Sequence, residues 1–409
     1  MLAITRARGT GGGFRSSPED FVVKEITANG TVLEPGAACT GERLGRYREG
    51  GKHIEFVLEK RNWNTLDAVI AIAKRLGRGR KSVGYAGTKD RNAITLQLAS
   101  VFSPGDADLS SFSIKDIRIN GQWRGDGISM GDVLGNAFEI TVRDAEGAER
   151  AAAVADELGG LMPNYFGEQR FGYRGNNARI GAAILRGDFG GAVDDYLTYT
   201  GNETNEEASE ARRRYADERD PLRALSYFPR FLKGERTVLA HLAKHDGNYA
   251  NALRLLPRGT LLMFVHAVQS SIFNSELEAR VGNGDFTSAV FAGEDFYGFP
   301  DMGRVAGSGK FALGVLPGFE SREEELGTYA KEAMERMQIG KEQFAMRQMP
   351  ELSMKGAYRP LLAPVKGLGC SVLGSGAYRL SFSLPSGSYA TALLNEFIKG
   401  PGAQGQAVD

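Results

Sequence analysis

Hydrophobic periodicity changes twice along this chain, and that change constrains its fold more than any other feature. In Lys52–Glu59, Ile54, Phe56 and Leu58 alternate with His53, Glu55 and Glu59. Ile94, Leu96 and Leu98 alternate with Thr95 and Gln97, Phe138–Arg143 alternates again, and Leu380, Phe382 and Leu384 alternate with Arg379, Ser381 and Ser383. A period of two belongs to a half-buried strand. In the middle of the chain the pattern is helical. Residues 145–160 and 203–220 are rich in Ala, Glu and Arg, and Val265, Val268, Ile272 and Leu277 mark a helix over Phe264–Arg280. Residues 321–348 are charged and also read as helix. Strands at both ends with helices between predict an α+β protein whose sheet is interrupted by a largely helical insertion.

Finer punctuation fills in the ends. Phe21-Val22-Val23 reads as a short strand. Leu66, Val69, Ile70, Ala73 and Leu76 recur at helical spacing, with Asn64 or Thr65 to cap the start and Gly77 to end it. Val83–Ala86 reads as a strand and Gly87–Arg91 as a loop leading back into strand. Pro385-Ser386-Gly387 turns the chain into a helix with Leu393, Leu394 and Phe397 on one face. The tail Pro401–Asp409 has no packing residues and is predicted to be disordered. Glycine makes up 54 of 409 residues, about 13% against a usual ~7%, which implies many tight turns or close backbone approaches.

Several functional classes are excluded or discounted. The densest apolar run, Leu261–Val265, is far short of a membrane span, and the N-terminus has no apolar signal region, so the chain reads as cytoplasmic. Cys39 and Cys370 cannot build a disulfide framework or a four-cysteine zinc site. His241 and His245 have metal-pair spacing but lack the zincin glutamate, so no metal is expected. Gly307-Ser308-Gly309-Lys310 has Arg304 where a phosphate loop needs glycine and Phe311 where it needs Ser or Thr. Gly9–Phe14 lacks the third glycine of a dinucleotide fingerprint, and Gly369–Gly374 is one residue too long for a nucleophile elbow.

Net charge is zero, yet residues 1–100 carry 17 Lys and Arg against 10 Asp and Glu. The densest stretch is Lys74–Arg91, with Lys74, Arg75, Arg78, Arg80, Lys81, Lys89 and Arg91 around a single acid, Asp90. Such a stripe can neutralise nucleic-acid phosphates, or it can be an ordinary solvated face. Asp90 itself sits on the loop between two strands, a position where rigid scaffolds carry catalytic groups. An ionised, positioned aspartate can serve as nucleophile or general base. On its local chemistry alone a surface ion pair is the better reading.

Longer motifs decide between these. Gly84–Gln97 (GYAGTKDRNAITLQ) closely resembles the active-site segment of the TruD family of tRNA pseudouridine synthases. Pro163–Gly172 (PNYFGEQRFG) resembles the family's second motif, Pro18–Val23 its N-terminal motif and Gly135–Phe138 a shorter one. Gln269–Asn274 with Arg280 resembles a helix of the family's insertion, and Leu384–Thr391 (LPSGSYAT) its C-terminal motif. Six motifs in one order identify the chain as a member, longer than the short bacterial ones and in this similar to archaeal ones.

The resemblance implies a pseudouridine-synthase catalytic domain, α+β with a curved, mostly antiparallel sheet. It would comprise residues 1–165 plus 356–409, with the TRUD insertion domain at 166–355 and RNA held in the cleft between. It implies isomerisation of uridine to pseudouridine in tRNA, at position 13 of the D arm, with no cofactor. Asp90 matches the catalytic aspartate; attack at C1′, attack at C6 and base catalysis remain alternatives. Arg15 falls where the family has a basic residue expected to pair with Asp90. Phe21, Asn164 and Tyr389 match positions that contact the substrate, and Phe166 matches the aromatic floor of the pocket. An aromatic ring can stack on an extruded base, and the Asn164 amide is suited to a uracil edge. Arg78, Arg80, Lys81, Lys89 and Arg91 are expected to meet the RNA backbone. The expected partner is tRNA, and the chain is expected to be a monomer. The competing reading is an RNA-binding protein or RNA chaperone that kept the fold and lost catalysis. Phe21, Phe166 and Tyr389 have packing roles as their alternative, and Asn164 a turn after Pro163.

Overall fold

The structure is a computed structural model describing residues 1–105, 107–109, 111–286, 291–293, 310–374 and 376–400. The predicted disordered tail and Gly307–Gly309 lie outside the described residues. The first third of the chain supplies β1 (Gly13–Phe14), β2 (Phe21–Thr27), β3 (His53–Arg61), β4 (Val83–Tyr85), β5 (Ile94–Phe102), β6 (Ile117–Gly125) and β7 (Val133–Arg143). Short strands β8 (Leu161–Pro163), β9 (Phe291–Gly293), β10 (Lys310–Leu316), β11 (Ala357–Pro360) and β12 (Leu362–Pro364) lie outside the main sheet. The C-terminal strands β13 (Lys366–Gly374) and β14 (Ala377–Pro385) rejoin it.

The main sheet has the order β13-β14-β7-β2-β5-β3-β6, with β1 on β7 and β4 on β5. Every pair is antiparallel except β2 with β5. This is the α+β architecture with a mostly antiparallel sheet that the alternation predicts. Both ends of the chain meet where β14 runs beside β7, Leu384 opposite Asn136 and Leu380 opposite Ile140.

Helices α1 (Thr65–Arg75), α2 (Ala151–Leu158), α3 (Asn177–Leu185), α4 (Phe189–Thr198), α5 (Glu206–Glu218), α6 (Pro221–Tyr227), α7 (Lys233–Leu242), α8 (Tyr249–Arg254), α9 (Arg258–Asn283), α10 (Thr328–Arg336) and α11 (Ala390–Ile398) complete the order. Asn64, not Thr65, caps α1: its side chain accepts from the Leu66 amide at 2.9 Å. Gly77 ends that helix with φ +65°, a conformation glycine adopts without a Cβ penalty. The helix expected over 321–348 is reduced to α10, because Gly327 and Gly340 bracket it and the flanking segments form 3-10 turns.

One sheet face carries the helices. α1 packs with Ile54, Phe56, Leu58, Ala99 and Val101 of β3 and β5. α2 and α11 pack with Phe138, Ile140, Leu380 and Phe382 of β7 and β14. Leu393, Leu394 and Phe397 of α11 are fully buried, each worth roughly 1.5–3 kcal/mol. Between those groups of helices Phe21 and Val23 of β2 and Phe138 of β7, themselves buried, lie at the foot of an open strip. The opposite face is not the solvated one that alternation suggests. Leu33, Cys39 and Leu44 cover Val57, Leu96 and Leu98, and the buried Glu55 takes hydrogen bonds from Arg46 and Trp123. Alternation tells which residues share a face, not whether a loop covers it.

The middle of the chain has its own apolar cluster, running from Ile180 to Leu352. The packing does not divide sharply at 165/166 and 355/356. Phe273 and Leu277, in the second half of α9, sit in the same cluster as Phe166, Phe382 and Leu393. The 26-residue α9 therefore contributes to both cores.

Candidate active site

The open strip on β2 and β7 becomes a cleft of about 250 Å³. Phe21 and Val23 of β2 and Asn136 and Phe138 of β7 line its length, pointing the same way because each strand repeats every two residues. The Thr88–Asp90 loop closes it on one side and the Gly387–Thr391 turn on another.

The Asp90 loop is tied down from several directions. Thr65 Oγ1 accepts from the Lys89 amide at 2.9 Å, and Gln97 Nε2 donates to Gly87 O at 3.1 Å. The Lys89 ammonium lies 2.6 Å from Glu25 Oε1, both side chains being almost fully buried. Lys60 Nζ donates to Asp90 O at 2.9 Å and to Trp63 O at 2.6 Å. Burial pushes the Lys60 ammonium down to about 8, against the opposing pull of Asp90. Asp90 keeps about a quarter of its side chain exposed, so the anchored loop offers its carboxylate to the cleft.

Two donors reach that carboxylate, and both choose the same oxygen. Arg15 Nη2 is 3.1 Å from Oδ1, and Gln169 Nε2 donates to Oδ1 at 2.6 Å. Among the described residues Oδ2 receives no protein donor. Both protein donors thus hold the same carboxylate oxygen. Arg15 has φ 72°, a backbone state that costs a non-glycine residue energy and persists only where surroundings enforce it. Here its main-chain carbonyl accepts from Asn92 Nδ2, and its guanidinium lies 4.3 Å over the Phe21 ring.

The other expected residues fall into place unevenly. Tyr389 is half-buried and lines the cleft, its ring 6.1 Å from that of Phe166. Gly167 makes this approach possible, because a Cβ there would meet Tyr389 Cδ1 at 2.7 Å. Phe21 is 2% exposed and its face is covered by Arg15, so it presents an edge and not a free stacking face. Asn164 is 1% exposed and its amide is turned into the protein. It donates to Pro360 O at 3.0 Å and accepts from Arg359 at 2.6 Å and Ser388 at 3.2 Å. These bonds tie β11 to the Ser388 turn, and Asn164 also lines a neighbouring cavity of about 370 Å³ with Phe166 and Arg359. Phe166 lies beneath Tyr389 and packs edge-on against Phe273 at 5.6 Å.

The basic stripe also divides. Arg78, Arg80, Lys81 and Arg91 are exposed. Lys89 is not available to phosphate, because its charge is spent on Glu25 beneath the loop. Sequence reasoning missed three contributors. Gln169 reaches Asp90 from the second motif, and Lys60 reaches the Asp90 main chain from β3, neither contact being marked by local sequence. Asn274 exchanges two 2.9 Å hydrogen bonds with the Phe166 main chain, and its motif was the one signal available. Asp20, inside the N-terminal motif, is structural: it pairs with Arg143 at 2.7 Å and accepts from the Ser17 amide. His241 and His245 stack on one another, and no group of three metal-ligating side chains occurs among the described residues. No helix among them is long and apolar enough to cross a membrane.

Comparison with known proteins identifies the family. Residues 1–397 match the family described as tRNA pseudouridine synthase D (TruD). A Thermococcus sibiricus protein named "Probable tRNA pseudouridine synthase D" is 32% identical, covering 97% of this chain and 97% of its own. A Methanopyrus kandleri protein of the same name is 37% identical over 86% of this chain and 87% of its own. A crystal structure from Methanosarcina mazei, named for tRNA pseudouridine synthase D (TruD), superposes with a TM-score of 0.74 at 31% identity. It covers 99% of this chain and 97% of that one.

Proposed function

The chain belongs to the TruD family of tRNA pseudouridine synthases, isomerases of uridine in tRNA, and from that premise we propose that it acts at position 13 of the D arm with Asp90 as its catalytic carboxylate. In the reaction the N1–C1′ bond breaks and a C5–C1′ bond forms. C5 gives up a proton and N1 takes one up, so the base changes its attachment but not its composition. No electron acceptor or group donor enters that balance, and we propose no metal or cofactor.

The observation that carries the reading is the asymmetric carboxylate. Arg15 and Gln169 both hold Oδ1 of Asp90, and Oδ2 receives no protein donor among the described residues at the wall of the cleft. A preorganised charge of this kind pays its orientation cost during folding and not at the moment of reaction. The target base must first leave its stack, at a cost of a few kcal/mol. Tyr389 offers the ring on which it settles, Phe166 supports that ring from below, and the Phe21 edge with Arg15 forms the opposite wall. Arg78, Arg80, Lys81 and Arg91 meet the RNA backbone outside the cleft.

The same geometry disfavours the reading as an RNA chaperone without catalysis, since a binding-only protein has no need of a carboxylate held by one oxygen. We further propose a cytoplasmic monomer with tRNA as partner. We divide it into a catalytic domain of residues 1–165 plus 356–409 and an insertion at 166–355 whose helix α9 is shared between the cores. The test is chemical mapping of pseudouridine in unmodified tRNA transcripts treated with the enzyme. Product at position 13 is the expected result; product only at another position refutes the site, and none at any position refutes the activity.

A further inference from the structure

The chain that brings Gln169 to Asp90 runs on into a tight turn, Gly172–Gly175, outside the lining of the catalytic cleft. We propose that Tyr173, on this turn, is a stacking platform for an unpaired nucleobase of the tRNA. The inference rests on the reading of the chain as a tRNA-modifying enzyme.

Tyr173 is 51% exposed, yet what surrounds it is held in place. The Gly175 amide donates to Gly172 O at 2.9 Å and closes a four-residue turn with Tyr173 and Arg174 at its centre. Both flanking glycines have positive φ, 80° and 78°, which glycine adopts without steric cost. Arg174 reaches into the insertion's core. Its Nη1 donates to Tyr196 O at 3.1 Å and to Tyr199 O at 2.8 Å, and its Nη2 lies 3.9 Å from Glu235. A Cβ at Gly201 would meet Arg174 O at 2.3 Å, so the segment after Tyr199 lies directly against the turn. The Tyr173 hydroxyl bonds the Thr204 hydroxyl on that segment and accepts from the Thr204 amide at 3.1 Å. The ring is therefore fixed at its tip and at its main chain while half of it stays in solvent.

A ring already fixed loses little freedom when a flat ligand covers it. Every nucleobase has such a face, so the platform takes a base of any identity. The neighbouring chemistry favours RNA. The Arg179 guanidinium, paired with Asp195 at 2.7 Å and with its side chain 60% exposed, lies 4.9 Å over the Tyr199 ring. Aromatic rings interleaved with arginine suit a single-stranded stretch of nucleic acid. Position favours it too. Gln169, which holds Asp90, is four residues before Tyr173, so their Cα atoms are no more than about 14 Å apart. An RNA that delivers its target base to Asp90 has other nucleotides within that distance.

The experiment compares Tyr173→Ala, Tyr173→Phe and Tyr173→Trp with wild type on unmodified tRNA transcript. Tyr173→Ala should weaken affinity about tenfold. The slope of log affinity against log salt should stay the same, because a lost ring changes no counterion release. Tyr173→Phe keeps the ring and should bind within about threefold of wild type. Tyr173→Trp places a fluorophore on the turn, and tRNA should quench it beyond the background change of Trp63 and Trp123 in wild type. A loss below about threefold in Tyr173→Ala overturns the platform, as does the absence of added quenching. Equal losses in Tyr173→Ala and Tyr173→Phe also overturn it, since the hydroxyl tether would then be the whole role of the residue. Circular dichroism checks folding, and Tyr173→Trp decides alone if Tyr173→Ala misfolds. Pseudouridine formation by wild type is read in parallel. Its failure counts against the activity, while affinity and quenching still decide the platform.

Discussion

The loop that carries Asp90 and the stretch Arg78–Lys81 just before it are both basic in sequence and differ in structure. Arg78, Arg80 and Lys81 stand in solvent. Lys89, one residue from Asp90, is drawn under the loop to Glu25, and Lys60 holds the loop's main chain from the neighbouring strand. The same residue types stand exposed in one place and hold a loop in the other. Burial decides between them, because a cation inside the protein must be paired or it destabilises the fold.

The largest expected effect breaks that contrast from the rigid side. Lys89→Met leaves Glu25 buried without its partner and should cost about 3–5 kcal/mol in denaturant unfolding. Arg80→Ala should stay within about 0.5 kcal/mol of wild type. Similar losses for the two variants would erase the distinction.

Arg15→Met comes next. It frees Asp90 Oδ1 of one donor and uncovers the Phe21 face. Turnover should fall about 10²-fold, with the loss in kcat and tRNA affinity nearly unchanged. A loss confined to KM would make Arg15 a binding residue.

On the exposed side, Arg78→Ala, Arg80→Ala and Lys81→Ala combined should weaken tRNA binding at every sequence. The slope of log affinity against log salt should drop by about one per residue. An unchanged slope would remove these side chains from the RNA footprint.

The smallest effect concerns pH. Burial lowers the Lys60 ammonium from 10.5 to about 8, so the unfolded chain binds the extra proton between those values. Stability contributed at this site therefore rises as pH increases from about 8 toward 10.5 and is lost on the way back down. The wild type should gain on Lys60→Met between pH 8 and 9.5 in thermal melts. Parallel curves for the two proteins would contradict the burial argument.

Much of the fold was legible because alternation is a geometric signal. Ile54, Phe56 and Leu58, and later Leu380, Phe382 and Leu384, do line the helical face of one sheet. What alternation could not tell was coverage of the other face, so Glu55 reads as exposed and is buried. The site was legible at Asp90 and Arg15 through motif and pairing chemistry. It was illegible at Lys60 and Gln169, whose roles depend on which distant loop their side chains reach. The bonds from Arg359 and Ser388 to the Asn164 amide were likewise illegible, because they come from segments 195 and 224 residues away.

The most direct test of the account is a side-by-side measurement of single-turnover pseudouridine formation and tRNA affinity for wild type and Asp90→Asn. The substitution keeps the size of the side chain and removes its charge. The account predicts product from wild type alone, with affinities within about twofold because the phosphate contacts lie outside the cleft. Substantial turnover by Asp90→Asn would contradict it, and the carboxylate held by Arg15 and Gln169 would then be a structural ion pair.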